Sequence, residues 1–250
     1  MWNRADLKMK GKAAFTANYW YCVLVALILS IVNSIMQFNS STTSIRNSFS
    51  SMTQSAGQNY SNYSDAFNSI LKQYQASGFT MAALSLSSLA ILATIFLINV
   101  LFVGGCRFFV DNRVGQGTLE KLGIGFKDGA YGNVVLTMFL KDLFTVLWTL
   151  LFIIPGIIKS YEYRMIPYIL AENPKMTHKE AFAISKKMMM GNKLDTFVLD
   201  LSFLGWVILS GLTCGILGIF FVNPYYEATI AELYSALVQK GYDEGFLGRD

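Results

Sequence analysis

The chain has 250 residues, 53% of them hydrophobic and only 14% charged, against about 25% charged in a soluble globular domain. Twenty Lys and Arg against sixteen Asp and Glu leave a net charge of +4 scattered along the chain, which argues against the concentrated basic patch of a nucleic-acid-binding protein. Cys22, Cys106 and Cys214 all fall in or beside apolar segments, so they read as small buried hydrophobes rather than as a disulfide framework.

Four apolar stretches, at residues 19–38, 79–110, 134–170 and 197–222, are too long and too poor in charge for a soluble core. A bilayer core about 30 Å thick takes roughly 20 apolar residues at a helical rise of about 1.5 Å each. The sequence therefore predicts one integral membrane domain over residues 1–250, an all-α polytopic bundle. Arg4, Lys8, Lys10 and Lys12 hold the N-terminus on the cytoplasmic side, because basic residues close to membrane ends are retained there. The first span, 19–38, ends in Met36-Gln37-Phe38-Asn39 without a small-x-small cleavage pattern, and is expected to stay as an anchor.

Residues 39–78 are Ser-, Asn-, Gln- and Tyr-rich with only Arg46 and Lys72 as cations, and predict a polar outer loop with no domain of its own. The second span, 79–110, returns to an inner loop marked by Arg107, Arg113, Lys121 and Lys127. The third stretch has inner markers at both ends, so it goes out and back as spans 134–154 and 157–171, with the turn at Pro155-Gly156, where a reversal is chemically easiest. Residues 175–193 predict an inner amphipathic helix. It opens on the capping box Thr177-His178-Lys179-Glu180, with Ala181, Phe182, Ile184 and Met188 on one side and Lys179, Lys186 and Lys187 on the other.

Two arrangements fit the last stretch. In one, spans 194–211 and 215–239 form a third hairpin turning near Gly211 to Gly215, continuing into an amphipathic C-terminal helix with Tyr226, Ile230, Leu233 and Leu237 on one face and the C-terminus inside. In the other, residues 197–222 are one long tilted helix with Gly211, Gly215 and Gly218 as a close-packing face. Three units of similar plan emerge, giving six crossings. Each passes an asparagine (Asn18, Asn133, Asn192), goes out, and returns through a segment interrupted at Gly104-Gly105, Pro155-Gly156 or Pro224.

Lys141, Asp142, Lys159, Glu162, Arg164, Asp200, Glu227 and Glu232 lie in or beside these spans. A charge at the bilayer centre costs about 2.5 to 3.5 kcal/mol on insertion scales, so it is paired, snorkels or lines a polar cavity. Lys141 and Asp200 each stand eight residues beyond the asparagine of their unit, at equivalent depth and with opposite sign. Pairing of Lys141 or Arg164 with Asp200, or with Glu162, is the expectation. It serves either a structural network or a substrate or proton pathway.

Enzyme chemistry finds no support. His178 is the only histidine and has no nucleophile near it in sequence, and there is no H-E-x-x-H, Cys-x-x-Cys, G-x-S-x-G or Walker loop. No catalytic residue, metal ligand or cofactor is expected.

Several runs carry a family resemblance. They include Ile154-Pro155-Gly156-Ile157-Ile158-Lys159-Ser160-Tyr161, Pro167-Tyr168-Ile169-Leu170-Ala171-Glu172-Asn173-Pro174, Leu199-Asp200-Leu201-Ser202-Phe203 and Asn223-Pro224-Tyr225. Together they resemble the bacterial integral-membrane family catalogued as domain of unknown function 975. More distantly, the Pro-Gly-Ile run is similar to the membrane region of some glycerophosphodiester phosphodiesterases, without their catalytic barrel. The resemblance implies a multi-pass bacterial plasma-membrane protein of unassigned activity. With the charge pattern, the expectation is a non-enzymatic protein that handles lipids or amphiphilic molecules in export or envelope homeostasis. A structural or regulatory subunit of a membrane complex, or a homo-oligomer, is the alternative, and an intramembrane hydrolase the third.

Overall fold

The computed structural model describes residues 2–30, 94–127 and 129–248. The second half of the first expected span, the polar loop at 39–78 and the second span as far as residue 93 lie outside the described residues. The chain divides into two compact units, Met1–Ser30 with Leu97–Asp250, and Ile31–Phe96, and the first carries all that follows. Every regular element among the described residues is helical.

Helix α1 (Arg4–Ala17) starts where Asn3 accepts the Ala5 amide at 2.9 Å, satisfying one of the free amides of a helix start. Its buried residues Leu7, Gly11 and Phe15 recur every four positions. A Cβ at Gly11 would lie 2.8 Å from the Thr229 Cα, so glycine allows this helix to press on the last one. The chain then bends by 105° into α2, described over Tyr19–Ser30.

Helix α3 (Asn99–Asn112) is the centre of the core, with Val100, Val103, Cys106, Phe108 and Phe109 at most 1% exposed. It runs unbroken through Gly104-Gly105, so these are not a turn. A Cβ at Gly104 would sit 2.1 Å from the Leu122 carbonyl oxygen, and one at Gly105 2.7 Å from Leu29. The glycines admit the 3-10 segment Leu119–Phe126 and α2.

Helix α4 (Tyr131–Leu151) reverses at Phe152, the one extended residue before α5 (Ile153–Glu162) folds back on it. The turn therefore precedes Pro155-Gly156, which lies in the first turn of α5. Proline is tolerated there because its missing N–H has no intrahelical acceptor to serve. Gly156 allows the return helix to approach Thr149, whose Oγ1 would be 2.5 Å from a Cβ. The expected span 157–171 is also broken, at Tyr163 to Met165, before α6 (Ile166–Glu172). Pro167 has no N–H to give the Tyr163 carbonyl, which accepts the Ile166 amide at 3.2 Å instead.

Helix α7 (His178–Met189) has both halves of the capping box in place, and buries Ala181, Ser185, Met188 and Met189 while Lys179, Lys186 and Lys187 stay exposed. Helices α8 (Lys193–Leu201) and α9 (Leu204–Leu212) together make a 20-residue apolar run with a slight break at Ser202-Phe203. The chain reverses at Thr213 to Gly215, where Cys214 (φ 53°) and Gly215 (φ 83°) have left-handed backbones. A π-helical turn, Gly218–Val222, packs back on α9 and leads into α10 (Asn223–Asp243), which carries Pro224 in its first turn. Among the described residues, nothing lies within 4 Å of a Cβ at Gly211 or Gly215, so neither makes a packing contact with them. Cys22 and Cys106 are buried, whereas Cys214 is exposed at this reversal.

Tyr131–Leu151 and Lys193–Leu212 are long and apolar enough to cross a membrane, and the bent pair Arg4–Ala17 with Tyr19–Ser30 makes a third if counted as one span. Only 22% and 17% of the first two are buried within the protein. Val146, Leu147, Leu150 and Leu151 on α4, and Val207, Ile208 and Leu212 on α9, are more than half exposed. Apolar surface on that scale marks a membrane or protein contact.

The two asparagines Asn18 and Asn133 do the same work. Asn18 donates its amide to Asn112 Oδ1 (2.8 Å) and the Gly117 carbonyl (3.2 Å), just past the end of α3. Asn133 donates to the carbonyls of Pro174 (2.8 Å) and Met176 (2.7 Å), just past the end of α6. Asn192 instead donates to Met188 within its own turn and accepts the Trp2 indole N–H.

Candidate functional site

The charged residues singled out in the sequence gather into several clusters. The largest is centred on Asp200 in α8. Arg164, at the break between α5 and α6, reaches it with two donors, Nη1 to Oδ2 at 2.6 Å and Nη2 to Oδ1 at 3.0 Å. The Tyr161 hydroxyl donates to Oδ2 at 2.7 Å and the Tyr226 hydroxyl to Oδ1 at 2.9 Å. Arg164 also contacts the Tyr226 hydroxyl, and its guanidinium lies 5.3 Å from the Tyr161 ring centre. One carboxylate thus takes four hydrogen bonds from three side chains, on α5, on α10 and at the break between α5 and α6, a geometry in which a charge-assisted, bidentate arginine is strongest. Arg164 and Asp200 remain 20% and 23% exposed.

The break that interrupts the expected span positions this arginine. With α5 ended at Glu162, Arg164 stands three residues beyond Tyr161 and turns toward α8. Tyr226 arrives from the second turn of α10, held by Phe203, whose ring meets it edge-on at 5.2 Å. Phe203 in turn carries Lys8 of α1, its ammonium 4.4 Å from the ring centre and donating to the Ser202 carbonyl at 3.1 Å. Burial there lowers the Lys8 pKa below that of a free lysine. The break between α8 and α9 leaves that carbonyl available.

Glu162, one residue before Tyr163, is clamped between Lys159 (2.8 Å) and Lys193 (2.7 Å) with its side chain 6% exposed. Asp111 is held likewise between Arg107 (3.1 Å) and Lys121 (3.0 Å). Glu232 pairs with Arg113 at 3.0 Å. Glu227 accepts one long bond from the Tyr168 hydroxyl at 3.4 Å. Lys141 lies away from Asp200: its ammonium is 2.9 Å from Asp142 Oδ1, while the Asn99 amide donates to Asp142 Oδ2, also at 2.9 Å.

Tyr161, Tyr226 and Asn99 are the members that charge does not mark, while Lys8 reads in the sequence only as a marker of topology. Tyr161 had a signal, the three-residue spacing that puts it on Arg164's side of a helix. Tyr226 reads only as part of an apolar face, and nothing local ties Asn99 to Asp142. Among the described residues, no group of three or more His, Cys, Asp or Glu is placed to hold a metal ion. His178 stands alone in the first turn of α7.

An all-helical chain with apolar, largely uncovered helices and ionic clusters at their junctions is a membrane-associated protein. Part of its second half is similar to a known family: the model of a protein of unknown function (DUF975) matches residues 149–241. That stretch holds the sequence runs from Pro155 to Tyr225 and the whole Asp200 cluster, whereas Asn99, Lys141 and Asp142 precede it. No curated protein and no solved structure matches the chain.

Proposed function

We propose that this is a multi-pass protein of a bacterial plasma membrane, built as three helical hairpins with both termini in the cytoplasm, and that it binds and handles lipids or other amphiphiles without catalysing their conversion. One observation carries this reading: partly exposed charged groups stand on or beside helices whose outer sides are bare leucine, isoleucine and valine. Lys141 and Asp142 are 21% and 40% exposed on α4, with Val146 and Leu150 following at the next turns. A surface that offers charge next to uncovered hydrocarbon suits a molecule with a polar head and an apolar tail. The matching staples of Asn18 and Asn133 support a repeated hairpin plan, since each ties the helix that leaves to the loop after the helix that returns.

Purified protein in liposomes, titrated with fluorescent phospholipids and long-chain amphiphiles, is expected to bind at least one head-group class saturably. The absence of saturable binding and of any transbilayer movement across all classes sinks the reading. A stoichiometric partner protein recovered from the native membrane, with no lipid bound, would instead favour a subunit role.

A further inference from the structure

We propose that Asn99, Lys141 and Asp142 form a head-group site for an amphiphile bearing a primary ammonium, with its tail laid along α4. The inference rests on the amphiphile reading above and narrows it to one head-group chemistry.

The site sits midway along the span-length helix α4, where Lys141 and Asp142 are the eleventh and twelfth of 21 residues. Asn99 is 1% exposed, and its Nδ2 is committed to Asp142 Oδ2 at 2.9 Å. That fixes the orientation of the amide, since the flipped group would set its oxygen against the carboxylate. The Asn99 Oδ1 is then a buried acceptor with no donor among the described residues. Buried carbonyl oxygens are satisfied in nearly all proteins, so this orphan calls for a donor that the described residues do not supply. The ligand must bring an N–H or O–H.

Two further features select a cation. The Asp142 side chain is 40% exposed against 21% for Lys141, so the carboxylate is the more accessible charge. Asp142 already accepts an ammonium, that of Lys141, at 2.9 Å through Oδ1. A second ammonium, with its three N–H groups, can donate to the carboxylate and to the amide oxygen together. An anionic head would meet Asp142 first and leave the orphan acceptor unserved.

The tail has a track. Val146 and Leu150 lie one and two turns beyond Asp142 on the same side of the helix and are 63% and 84% exposed, with Leu147 and Leu151 beside them at 57% and 63%. At about 1.5 Å per residue, eight residues give about 12 Å of apolar surface, close to the length of a medium alkyl chain. Lys141 is the internal competitor that holds the site between ligands.

The test uses the full-length protein in a neutral maltoside detergent, titrated calorimetrically with dodecylammonium, dodecyl phosphate and dodecanol. Dodecylammonium is expected to bind at least tenfold more tightly than the other two. Asp142→Asn should weaken it tenfold or more, and Asn99→Leu at least threefold, with dodecyl phosphate unaffected by either. Lys141→Met should tighten dodecylammonium several-fold, a gain that a misfolded protein cannot produce. Equal or tighter binding of dodecyl phosphate or dodecanol, or no gain in Lys141→Met, overturns the head-group assignment while leaving amphiphile binding in place. No saturable binding of any of the three overturns both.

Discussion

Asp200 and Asp142 are carboxylates on the two span-length helices, and they are held in opposite ways. Asp200 takes four hydrogen bonds from Tyr161, Arg164 and Tyr226, residues brought from other helices. Asp142 takes one from its chain neighbour Lys141 and one from Asn99, whose own oxygen is left without a donor. A charge in low dielectric is stable only when its remaining lone pairs are satisfied as well as its sign. By that measure Asp200 is a completed joint between helices, and Asp142 is an incomplete one, at which the ligand proposed above would bind. Opposite charges at equivalent depth, Lys141 and Asp200, are therefore not partners.

The largest effect expected from this contrast is at Arg164. Arg164→Met leaves the partly exposed Asp200 carboxylate beside two tyrosines with no cation, and should lower stability by about 3 kcal/mol, the low end for a buried pair because Asp200 is 23% exposed. Lys141→Met, at a half-exposed local pair, should change it by about 0 to 1 kcal/mol. Unfolding in mixed detergent micelles measures both, and equal losses would erase the distinction. Next is Gly104→Ala, where the new methyl meets a backbone carbonyl that cannot rotate away. It should cost about 3 kcal/mol, against less than about 0.5 kcal/mol for Gly211→Ala in open space.

A double exchange sharpens the pairing. Arg164→Asp with Asp200→Arg should recover about 0.5 to 3 kcal/mol relative to the sum of the single variants. Lys141→Asp with Asp200→Lys should recover nothing, and recovery there would show the two charges to be coupled after all. Asn133→Ala strips a donor from the carbonyls of Pro174 and Met176 and should lower stability by about 2 kcal/mol, with Asn18→Ala similar if the staples are equivalent. The smallest effect, about 1 kcal/mol, belongs to Thr177→Ala at the α7 cap. It should leave the binding behaviour of either carboxylate untouched.

What the sequence makes legible is mostly local. The α7 cap needs only residues three apart, and both of its hydrogen bonds form at the expected positions. The all-helical character and the apolar runs on α4 and α8–α9 follow from composition over about 20 residues. Reversals are harder to place. Pro155-Gly156 looks like a turn because both residues disfavour a helix interior, but a helix start tolerates proline and a tight hairpin needs glycine, so the bend falls three residues earlier, at Phe152. Pro167, unremarked in the pattern, is what breaks the following span.

The partner of Asp200 depends on the rotation of α8 against α5, and no spacing within either helix encodes it. Arg164 and Lys141 were equal candidates on charge alone, and the geometry selects Arg164. The tyrosine hydroxyls are invisible for a related reason: on a helical face the ring reads as apolar until a neighbour claims its oxygen. Cys214 reads as buried from its apolar surroundings but lies exposed, because it stands at the tip of the reversal.

The seating of α1 has a consequence for biogenesis. Gly11 packs against Thr229 and Lys8 lies over Phe203, so α1 emerges from the ribosome long before its docking partners. During synthesis it must wait at the membrane surface with Leu7 and Phe15 uncovered, and it locks down once α10 has been delivered. The junction of α1 with α10 can therefore form only after α10 has been made, which places it late in assembly.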